Sequence, residues 1–354
     1  MTTPKNPPGR PSVSSAEVAR HAGVSRTTVS FVLNDVRDRG ISEATRQRVL
    51  AAAHELGYEP NAAARTLASG ATGNVALVVP RSSHLYVDAF LAQLVASINE
   101  QCHRMELTLF IESTEDEDRE PGGFLRLVRS RRIDGLIVAH PRTRELDHLH
   151  RLRDSGVPLV VFGSGLPAGE GFHTMGDDTW RSARLAVDHL LDLGHSRVAF
   201  VNYASPEFHS ANQRKLGWRA ALLGRGFTAD PAALEHADIS AESGYLATRR
   251  LLARGVPFTA LFAGNDTIAF GALRALREAG LNVPQDVAVV GYDDIPLAPY
   301  ASPPLTSLRT DPVGHGRQAV QMLLRQLRPE AGTPIEPADA PELVVRASCG
   351  AAKG

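Results

Sequence analysis

Cysteine, long apolar runs and net charge are all scarce in this chain of 354 residues. The two cysteines, Cys102 and Cys349, are too few for a disulfide framework or for a zinc site built from cysteines alone. No apolar run reaches the roughly 18 residues of a membrane-spanning helix. Residues 1–13 are polar and contain prolines, so they predict a flexible tail rather than a secretory signal. We therefore expect a soluble, cytoplasmic protein with no membrane partner and with two or three domains.

The formal net charge is only −1, but the charged residues are distributed unevenly. Residues 1–70 contain nine Lys or Arg and six Asp or Glu, whereas the rest of the chain contains 29 basic and 33 acidic residues. A basic first segment on an acidic body is expected when one part of a protein binds nucleic acid.

Patterns that indicate an enzyme or a metalloprotein are missing. The 13 histidines include no HExxH pair. The glycine-rich stretch at 163–169 does not have the spacing of a dinucleotide-binding fingerprint. Asp293 and Asp294 are neighbours at a predicted strand end, where successive side chains point to opposite sides and need not converge. We expect no catalytic residue, no metal site and no cofactor.

The first segment begins with two short predicted helices. Ser14 and Glu17 have the spacing of a capping box, and Gly23 is suited to end the helix that starts there. Ser25 can cap a second helix over residues 26–34. Two short helices joined by a glycine-containing turn form a helix-turn-helix, whose second helix enters the major groove of DNA. The alternative is a plain three-helix bundle with no role in DNA binding.

A third helix is predicted between Ser42 and Gly57, and a shorter hinge segment over residues 61–70. The apolar residues expected to be buried in the third helix are Val49, Leu50, Ala53 and Leu56. The hinge segment is too short to be a stable helix in water by itself. Because Leu67 is its one large apolar side chain, the segment is suited to fold on DNA and insert that side chain into the minor groove.

From residue 73 onward, strand-like apolar segments alternate with helix-like segments. The strand-like segments include 75–79, 107–111, 135–138, 159–162, 198–201, 260–263 and 287–290, and the helix-like segments include 89–102, 179–193, 212–225 and 267–279. This alternation predicts an α/β fold with parallel sheets, and the number of units predicts two lobes. Ligands of such folds bind beyond the carboxyl ends of the strands.

Many short stretches of the chain resemble the LacI/GalR family of bacterial transcription regulators. In the first segment they are 17–30 (EVARHAGVSRTTVS), 32–34 (VLN), 45–46 (TR), 56–61 (LGYEPN) and 64–68 (ARTLA). In the body they are 189–195 (HLLDLGH), 264–267 (GNDT), 289–294 (VVGYDD) and 304–306 (PLT). The resemblance covers about residues 14–348. It implies a helix-turn-helix headpiece of three helices, a hinge helix and a two-lobed core of the periplasmic-binding-protein type I (LacI-like) fold.

The resemblance implies the following organisation. Residues 1–13 are a flexible tail, 14–60 the DNA-binding domain, 61–70 the hinge helix and 71–354 the core for effector binding and dimerisation. The N-lobe of the core is expected at about 73–174 plus 309–338, and the C-lobe at about 175–308 plus 339–350.

The resemblance also implies roles in DNA binding for individual residues. Base contacts are implied for Arg26, Thr27, Phe31, Ala64 and Leu67. Phosphate contacts are implied for Ser25, Thr28, Ser30, Asn34, Ser42 and Thr45. Phe31 departs from the pattern, because many members carry an arginine there that can bind guanine O6 and N7, whereas Phe can touch a thymine methyl group. The operator sequence therefore does not carry over from the family.

For the effector, the resemblance implies polar contacts and apolar walls between the two lobes. The polar candidates are Arg214, Asn265, Asp293 and Ser210, and the apolar candidates are Phe90, Phe162 and Phe208. Each main polar candidate has a structural alternative: an ion pair or solvated position for Arg214, a helix N-cap for Asn265 and a turn position for Asp293.

These features together predict a homodimeric transcription factor, a repressor that binds a pseudo-palindromic operator in double-stranded DNA. A small molecule between the lobes, a sugar or related metabolite, is expected to control operator affinity by induction or by corepression. Two other classes are a sugar-binding transport component and an α/β enzyme with a regulatory head. The DNA-binding pattern argues against the first, and the lack of a nucleophile–base set or cofactor fingerprint argues against the second.

Overall fold

The computed structural model describes residues 13–33, 36, 38–58, 70–81, 83–114, 125–163 and 171–351. It divides the chain into two units, Met1–Thr72 and Gly73–Gly354, which we call the head and the core. Within the described ranges, no helix has the length and apolarity needed to cross a membrane. Three predicted DNA contacts, Asn34, Ala64 and Leu67, lie outside the described residues.

The head contains three helices, α1 (Ser15–Ala22), α2 (Arg26–Leu33) and α3 (Glu43–Glu55). The capping box predicted at the start of α1 is present, since the Ser14 hydroxyl accepts from the Glu17 amide and the Glu17 carboxylate accepts from the Ser14 amide at 2.7 Å. The helix ends at Gly23, whose φ of 66° is in the left-handed region that glycine tolerates best. The local signals in the sequence therefore fix both ends of this helix.

Small and β-branched side chains from all three helices form the core of the head. Its buried members are Val18, Ala19, Ala22, Val29, Val32, Val49, Ala52 and Ala53. The prediction that Leu50 is buried is wrong, because this residue is 42% exposed and Ala52 contributes to the core instead. One step along a helix is a rotation of about 100°, so Leu50 points away from the interior that Val49 enters.

The first lobe of the core is built on five parallel strands in the order β2-β1-β3-β4-β5. The strands are β1 (Asn74–Val79), β2 (Thr108–Ser113), β3 (Gly135–Ala139), β4 (Leu159–Phe162) and β5 (His173–Met175). Strands β3 and β4 are buried along their whole length, as expected for a parallel sheet covered on both faces. The helices described between these strands are α4 (His84–Val87), α5 (Ala89–Arg104), α6 (Leu125–Arg129) and α7 (Leu146–Asp154).

The second lobe has six strands in the order β11-β10-β9-β8-β6-β7, and β11 alone runs antiparallel to its neighbour. The strands are β6 (Val198–Asn202), β7 (Leu234–His236), β8 (Ala260–Ala263), β9 (Ala288–Asp293), β10 (Thr306–Arg309) and β11 (Glu342–Val344). Its helices are α8 (Thr179–Asp192), α9 (His209–Gly224), α10 (Ala241–Ala253) and α11 (Asp266–Glu278). The predicted α/β fold with parallel sheets is confirmed.

The chain passes between the two lobes more than once. After β10 it returns to the first lobe as α12 (Pro312–Leu327), which packs on α5, and it then enters the second sheet again as β11. Val320 and Leu323 of α12 are buried in the same apolar cluster as Leu94 and Ile98 of α5. Because strands from both lobes end at the junction between them, the residues that follow those strands meet there.

Candidate effector cleft and DNA-binding surface

A cleft lies between the two lobes of the core, at the carboxyl ends of their strands. The empty space among its lining residues, counted out to the open mouth, is about 460 Å³. The lining residues are Asp88, Phe90, His140, Phe162, Gly163, Gly176, Asp177, Thr179, Tyr203, Ser210, Arg214, Asn265, Tyr292, Asp293 and Thr310. Six of the seven predicted effector contacts are in this set.

Arg214, on α9, brings a fixed positive charge to the cleft. Its guanidinium carbon lies 3.6 Å from the centroid of the Tyr292 ring and 4.4 Å from that of the Tyr203 ring. One of its nitrogens also donates a hydrogen bond to the carbonyl of Gly264. The residue is almost fully buried, so these contacts take the place of hydration. A guanidinium held in this way can form charge-assisted hydrogen bonds with hydroxyl or carboxylate groups of a ligand.

Asp293 ends strand β9 in an unusual backbone conformation, with φ of 105°. Burial raises the pKa of its carboxyl well above the usual range, an effect that the charge of Arg214 opposes. Asp294 has different surroundings, because its carboxylate pairs with Arg309 at 2.8 Å and with Arg346 at 2.6 Å. Unusual backbone conformations occur often at ligand sites, and here one of them accompanies the buried carboxyl of the cleft.

Asn265 and Ser210 line the cleft and also hold its walls together. The Asn265 side chain caps α11, where its oxygen accepts from the Ile268 amide at 2.8 Å. Asn265 is therefore both the N-cap of α11 and a lining residue of the cleft. The Ser210 hydroxyl lies 2.5 Å from the Tyr203 hydroxyl and 3.2 Å from Nδ1 of His140. Since His140 follows β3, the last contact joins the two lobes.

Aromatic side chains form a platform on the first lobe. The rings of Phe90 and Phe162 stack with centroids 5.8 Å apart, and the His140 ring meets Phe162 edge-on at 4.9 Å. Phe208 is not among the lining residues, because its ring lies in an apolar cluster of the second lobe with the Arg142 guanidinium 5.3 Å above it. Phe90 and Phe162 are therefore the two predicted apolar walls that reach the cleft.

Two ionisable groups near the platform have shifted pKa values. Burial, together with the positive charge of Arg214, lowers the pKa of His140 to about 3, so the imidazole is neutral at pH 7. Burial raises the pKa of Asp88, whose carboxylate caps α5 by accepting from the Phe90 amide at 3.0 Å. The platform side of the cleft therefore presents a neutral imidazole beside apolar rings.

Nine lining residues were not predicted from the sequence. Five of these nine directly follow strands: His140 after β3, Gly163 after β4, Gly176 after β5, Tyr203 after β6 and Thr310 after β10. These residues belong to no motif, and only their place directly after a strand could have identified them. Ligands of parallel sheets bind beyond the carboxyl ends of the strands. In the part of the chain that the structure describes, Thr310 Oγ1 is buried without a hydrogen-bond partner. A polar ligand group could supply one.

On the head, predicted phosphate contacts lie at the starts of two helices. The Ser25 hydroxyl accepts from the Thr28 amide at 3.0 Å at the beginning of α2. The Ser42 hydroxyl accepts from the Thr45 amide at 3.3 Å at the beginning of α3. Helix N-termini present free amide groups and a partial positive charge, which together favour phosphate.

The other predicted DNA contacts of α2 lie on its outer face. Arg26, Thr27 and Ser30 are exposed, whereas Val29 and Val32 on the opposite face are buried. Phe31 is half-buried. Among the described residues there is no group of three or more His, Cys, Asp or Glu side chains that could hold a metal ion.

Comparison with known proteins supports both units. Residues 16–61 match the family model of bacterial regulatory proteins of the lacI family, and residues 187–349 match the model of a periplasmic binding protein-like domain. The HTH-type transcriptional repressor PurR of Haemophilus influenzae (strain PittEE) is 33% identical over 336 residues, which cover 94% of this chain and 97% of that protein. PurR of Histophilus somni (strain 129Pt) is 32% identical over 335 residues, with the same coverage of both chains. These relatives are repressors rather than enzymes.

Solved structures agree over the same length. The lac repressor dimer bound to operator and the anti-inducer ONPF is 29% identical, with a TM-score of 0.83, and the match covers 96% of this chain and 100% of that one. The complex of the transcriptional regulator CelR with cellobiose is 31% identical, with a TM-score of 0.70, and the match covers 95% of this chain and 99% of that one. The resemblance found in the sequence is thus confirmed, and this chain belongs to the LacI family of bacterial regulatory proteins.

Proposed function

We propose that this chain is a homodimeric transcriptional repressor whose affinity for its operator is controlled by a small molecule in the cleft. The observation that carries the proposal is the presence, in one chain, of a helix-turn-helix head and of a cleft built around the buried Arg214 and Asp293. Repressors match this chain over nearly its whole length. As a DNA-binding regulator it acts in the cytoplasm.

The head supplies the contacts with DNA. Arg26 and Thr27 read base edges from the exposed face of α2, while Ser25, Thr28, Ser30, Asn34, Ser42 and Thr45 hold phosphates. Hydroxyl groups and helix N-termini suit this second task because they position a protein without reading sequence. The hinge over residues 61–70 comes before the core in the sequence, and we propose that its Leu67 inserts into the minor groove with Ala64 nearby.

The effector is a sugar or a related small metabolite. The Phe90–Phe162 platform suits the apolar face of a ring, and Arg214 and Asp293 suit the hydroxyl groups at its edge. Apolar and aromatic walls with a few placed polar groups are typical of small-molecule sites. Structures of relatives hold cellobiose in CelR and ONPF in the lac repressor, which supports the assignment.

Ligand binding is coupled to DNA binding through the contacts that join the two lobes. Arg81 pairs with Asp238 at 3.0 Å, and the Thr143 amide donates to the Glu207 carbonyl at 2.9 Å. A ligand that binds one arrangement of the lobes better than another shifts the population between them. A change in lobe arrangement alters the spacing of the two hinges in a dimer, and coupling of about 1–3 kcal/mol is typical of such systems.

The experiment that tests the proposal has two stages. First, a thermal-shift screen of the full chain with sugars, polyols and nucleobases identifies ligands, because a ligand that binds the folded state raises its unfolding temperature. Second, selection from a random pool of DNA duplexes identifies the operator. We expect a pseudo-palindromic motif whose affinity changes when the ligand is added; enrichment of no motif by the chain, alone or with the ligand, would overturn the proposal.

A further inference from the structure

A contact between Phe31 and Arg39 brings a second arginine to the DNA-facing side of the head. The guanidinium carbon of Arg39 lies over the Phe31 ring, 5.3 Å from its centroid. Phe31 belongs to α2, and Arg39 follows that helix in the segment that leads to α3. A guanidinium at this distance from an aromatic ring is attracted to its face.

The position of Phe31 on α2 determines which way this pair faces. Phe31 is four residues after Thr27, so the two side chains are neighbours on one face of the helix. Thr27 is exposed, whereas Val29 and Val32 face the interior. The Phe31–Arg39 pair is therefore at the edge of the face that carries Arg26 and Thr27, and both guanidinium groups serve one surface.

The guanidinium of Arg39 is available for a ligand. Within the described part of the chain, the Phe31 ring is the one contact found for this guanidinium, and the residue is exposed. Arg46, which comes from α3, behaves differently, because its nitrogens donate to the carbonyls of Val32 at 3.4 Å and Val36 at 3.1 Å. Arg46 therefore stabilises the segment after α2, whereas the N–H donors of Arg39 can bind another partner.

We infer that Arg39 is a specificity-determining residue of the head and that it reads a guanine in each operator half-site while Phe31 supports it from below. A guanidinium is planar and presents paired N–H donors, which match the O6 and N7 acceptors of guanine in the major groove. Stacking on a ring restricts the orientation of that plane in advance of binding. The inference rests on the proposed function and deepens it, since it names the base that this surface recognises and replaces the thymine methyl contact expected for Phe31.

Four variants of the full chain test this inference: Arg39→Ala, Arg39→Lys, Phe31→Tyr and, as the matched control, Arg48→Ala. Arg48 is an exposed arginine on α3, so its removal causes the same loss of charge. Each protein selects its motif from a random duplex pool, and its affinity is then measured over a series of salt concentrations for the best operator and for operators changed at single positions. Circular dichroism confirms that each variant retains its helices.

The wild type is expected to prefer guanine at one position of each half-site by about 5- to 100-fold. Arg39→Ala and Arg39→Lys should both abolish that preference, although Lys preserves the charge, because an ammonium lacks the planar pair of donors. Phe31→Tyr, which keeps an aromatic ring, should preserve the preference, and so should Arg48→Ala.

Two outcomes would overturn the inference, and they differ from each other. If the wild type enriches a motif and Arg39→Ala weakens binding to all sequences equally with a smaller salt dependence, Arg39 contacts phosphate and reads no base. If the wild type enriches no motif at all, the proposed function fails and the inference fails with it.

Discussion

The guanidinium carbon of Arg214 lies 3.6 Å from the centroid of the Tyr292 ring, one residue before the buried carboxyl of Asp293. Strand β9 therefore both supports the positive charge of the cleft and supplies a carboxyl beside it. Because α9 carries Arg214 and β9 carries the other two residues, the second lobe alone supplies the Arg214–Asp293 pair of the candidate site.

The first prediction concerns Arg214. Arg214→Ala should weaken effector binding by about 10- to 100-fold, because a hydrogen bond to a charged group is lost from a buried site. Isothermal titration with a ligand from the thermal-shift screen measures the effect. Arg219→Ala is the matched control, because Arg219 is exposed on the same helix. This variant should bind the ligand with the affinity of the wild type. Equal affinities for Arg214→Ala and the wild type would remove Arg214 from the site.

The second prediction concerns the pH dependence of stability through Asp266, a buried residue at the start of α11. Its carboxylate accepts from the Ile295 amide at 2.8 Å and from the Ser307 hydroxyl at 2.5 Å, yet burial raises its pKa to about 7. In the unfolded chain an Asp carboxyl has a pKa of about 3.9. The unfolded state therefore holds fewer protons between these two values, and this group makes the free energy of unfolding fall as the pH rises.

Thermal melts of the wild type and of Asp266→Asn between pH 4 and pH 8 test the direction of this pH dependence. This range spans the unfolded pKa of about 3.9 and the folded pKa of about 7. In the wild type, the contribution of Asp266 to the free energy of unfolding should decline as the pH rises to about 7. The variant should lose less stability over this range because Asn does not titrate there. The slope is the readout, since the variant also changes a hydrogen bond and shifts the absolute melting temperature. Parallel curves for the two proteins would contradict the assignment.

The third prediction concerns dimerisation. Tyr300 is 83% exposed and Leu297 is 60% exposed, and the two lie close together after β9. Paired exposed apolar side chains are typical of interaction sites. Tyr300→Glu should shift the protein from twice the chain mass of 38.0 kDa toward the single mass in light scattering. Leu223→Glu, at an exposed leucine of α9, is the control and should remain dimeric.

The fourth prediction concerns Leu67 in the hinge. Leu67→Ala should lower operator affinity and reduce the bend in the DNA, because a shorter side chain cannot separate the central base step. A gel-shift series with the operator at different positions along the fragment measures the bend. Ser69→Ala provides a control within the same segment. An unchanged bend with Leu67→Ala would show that no wedge is inserted at this residue.

Local signals in the sequence predict the helix ends of the head correctly. The wrong prediction for Leu50 has a geometric cause. The Ser14–Glu17 capping box and the left-handed Gly23 are present because each depends on only a few neighbouring residues. Leu50 was expected to be buried but is exposed, since Val49 and Ala53 already define the inner face of α3 and Leu50 is turned away from it. Apolarity alone does not determine which of two adjacent residues enters a small core.

In the core, the buried apolar strands could be predicted, but β5 and β7 could not. β5 and β7 have three residues each, too few to show a periodic pattern. The cleft residues His140 and Thr310 carry no motif and are brought to the site by the ends of β3 and β10. Phe208 illustrates the opposite case, because its apolar side chain is satisfied by packing within the second lobe instead of facing the ligand.

Whether the cleft controls DNA binding is decided by the operator affinity of the full chain, measured by fluorescence anisotropy with and without the ligand found by thermal shift. We predict that the ligand changes the dissociation constant by about 5- to 150-fold, and that Asp293→Ala binds the operator but no longer responds to the ligand. An unchanged operator affinity with a ligand shown to occupy the cleft, or a wild-type response by Asp293→Ala, would contradict control of DNA binding by the cleft.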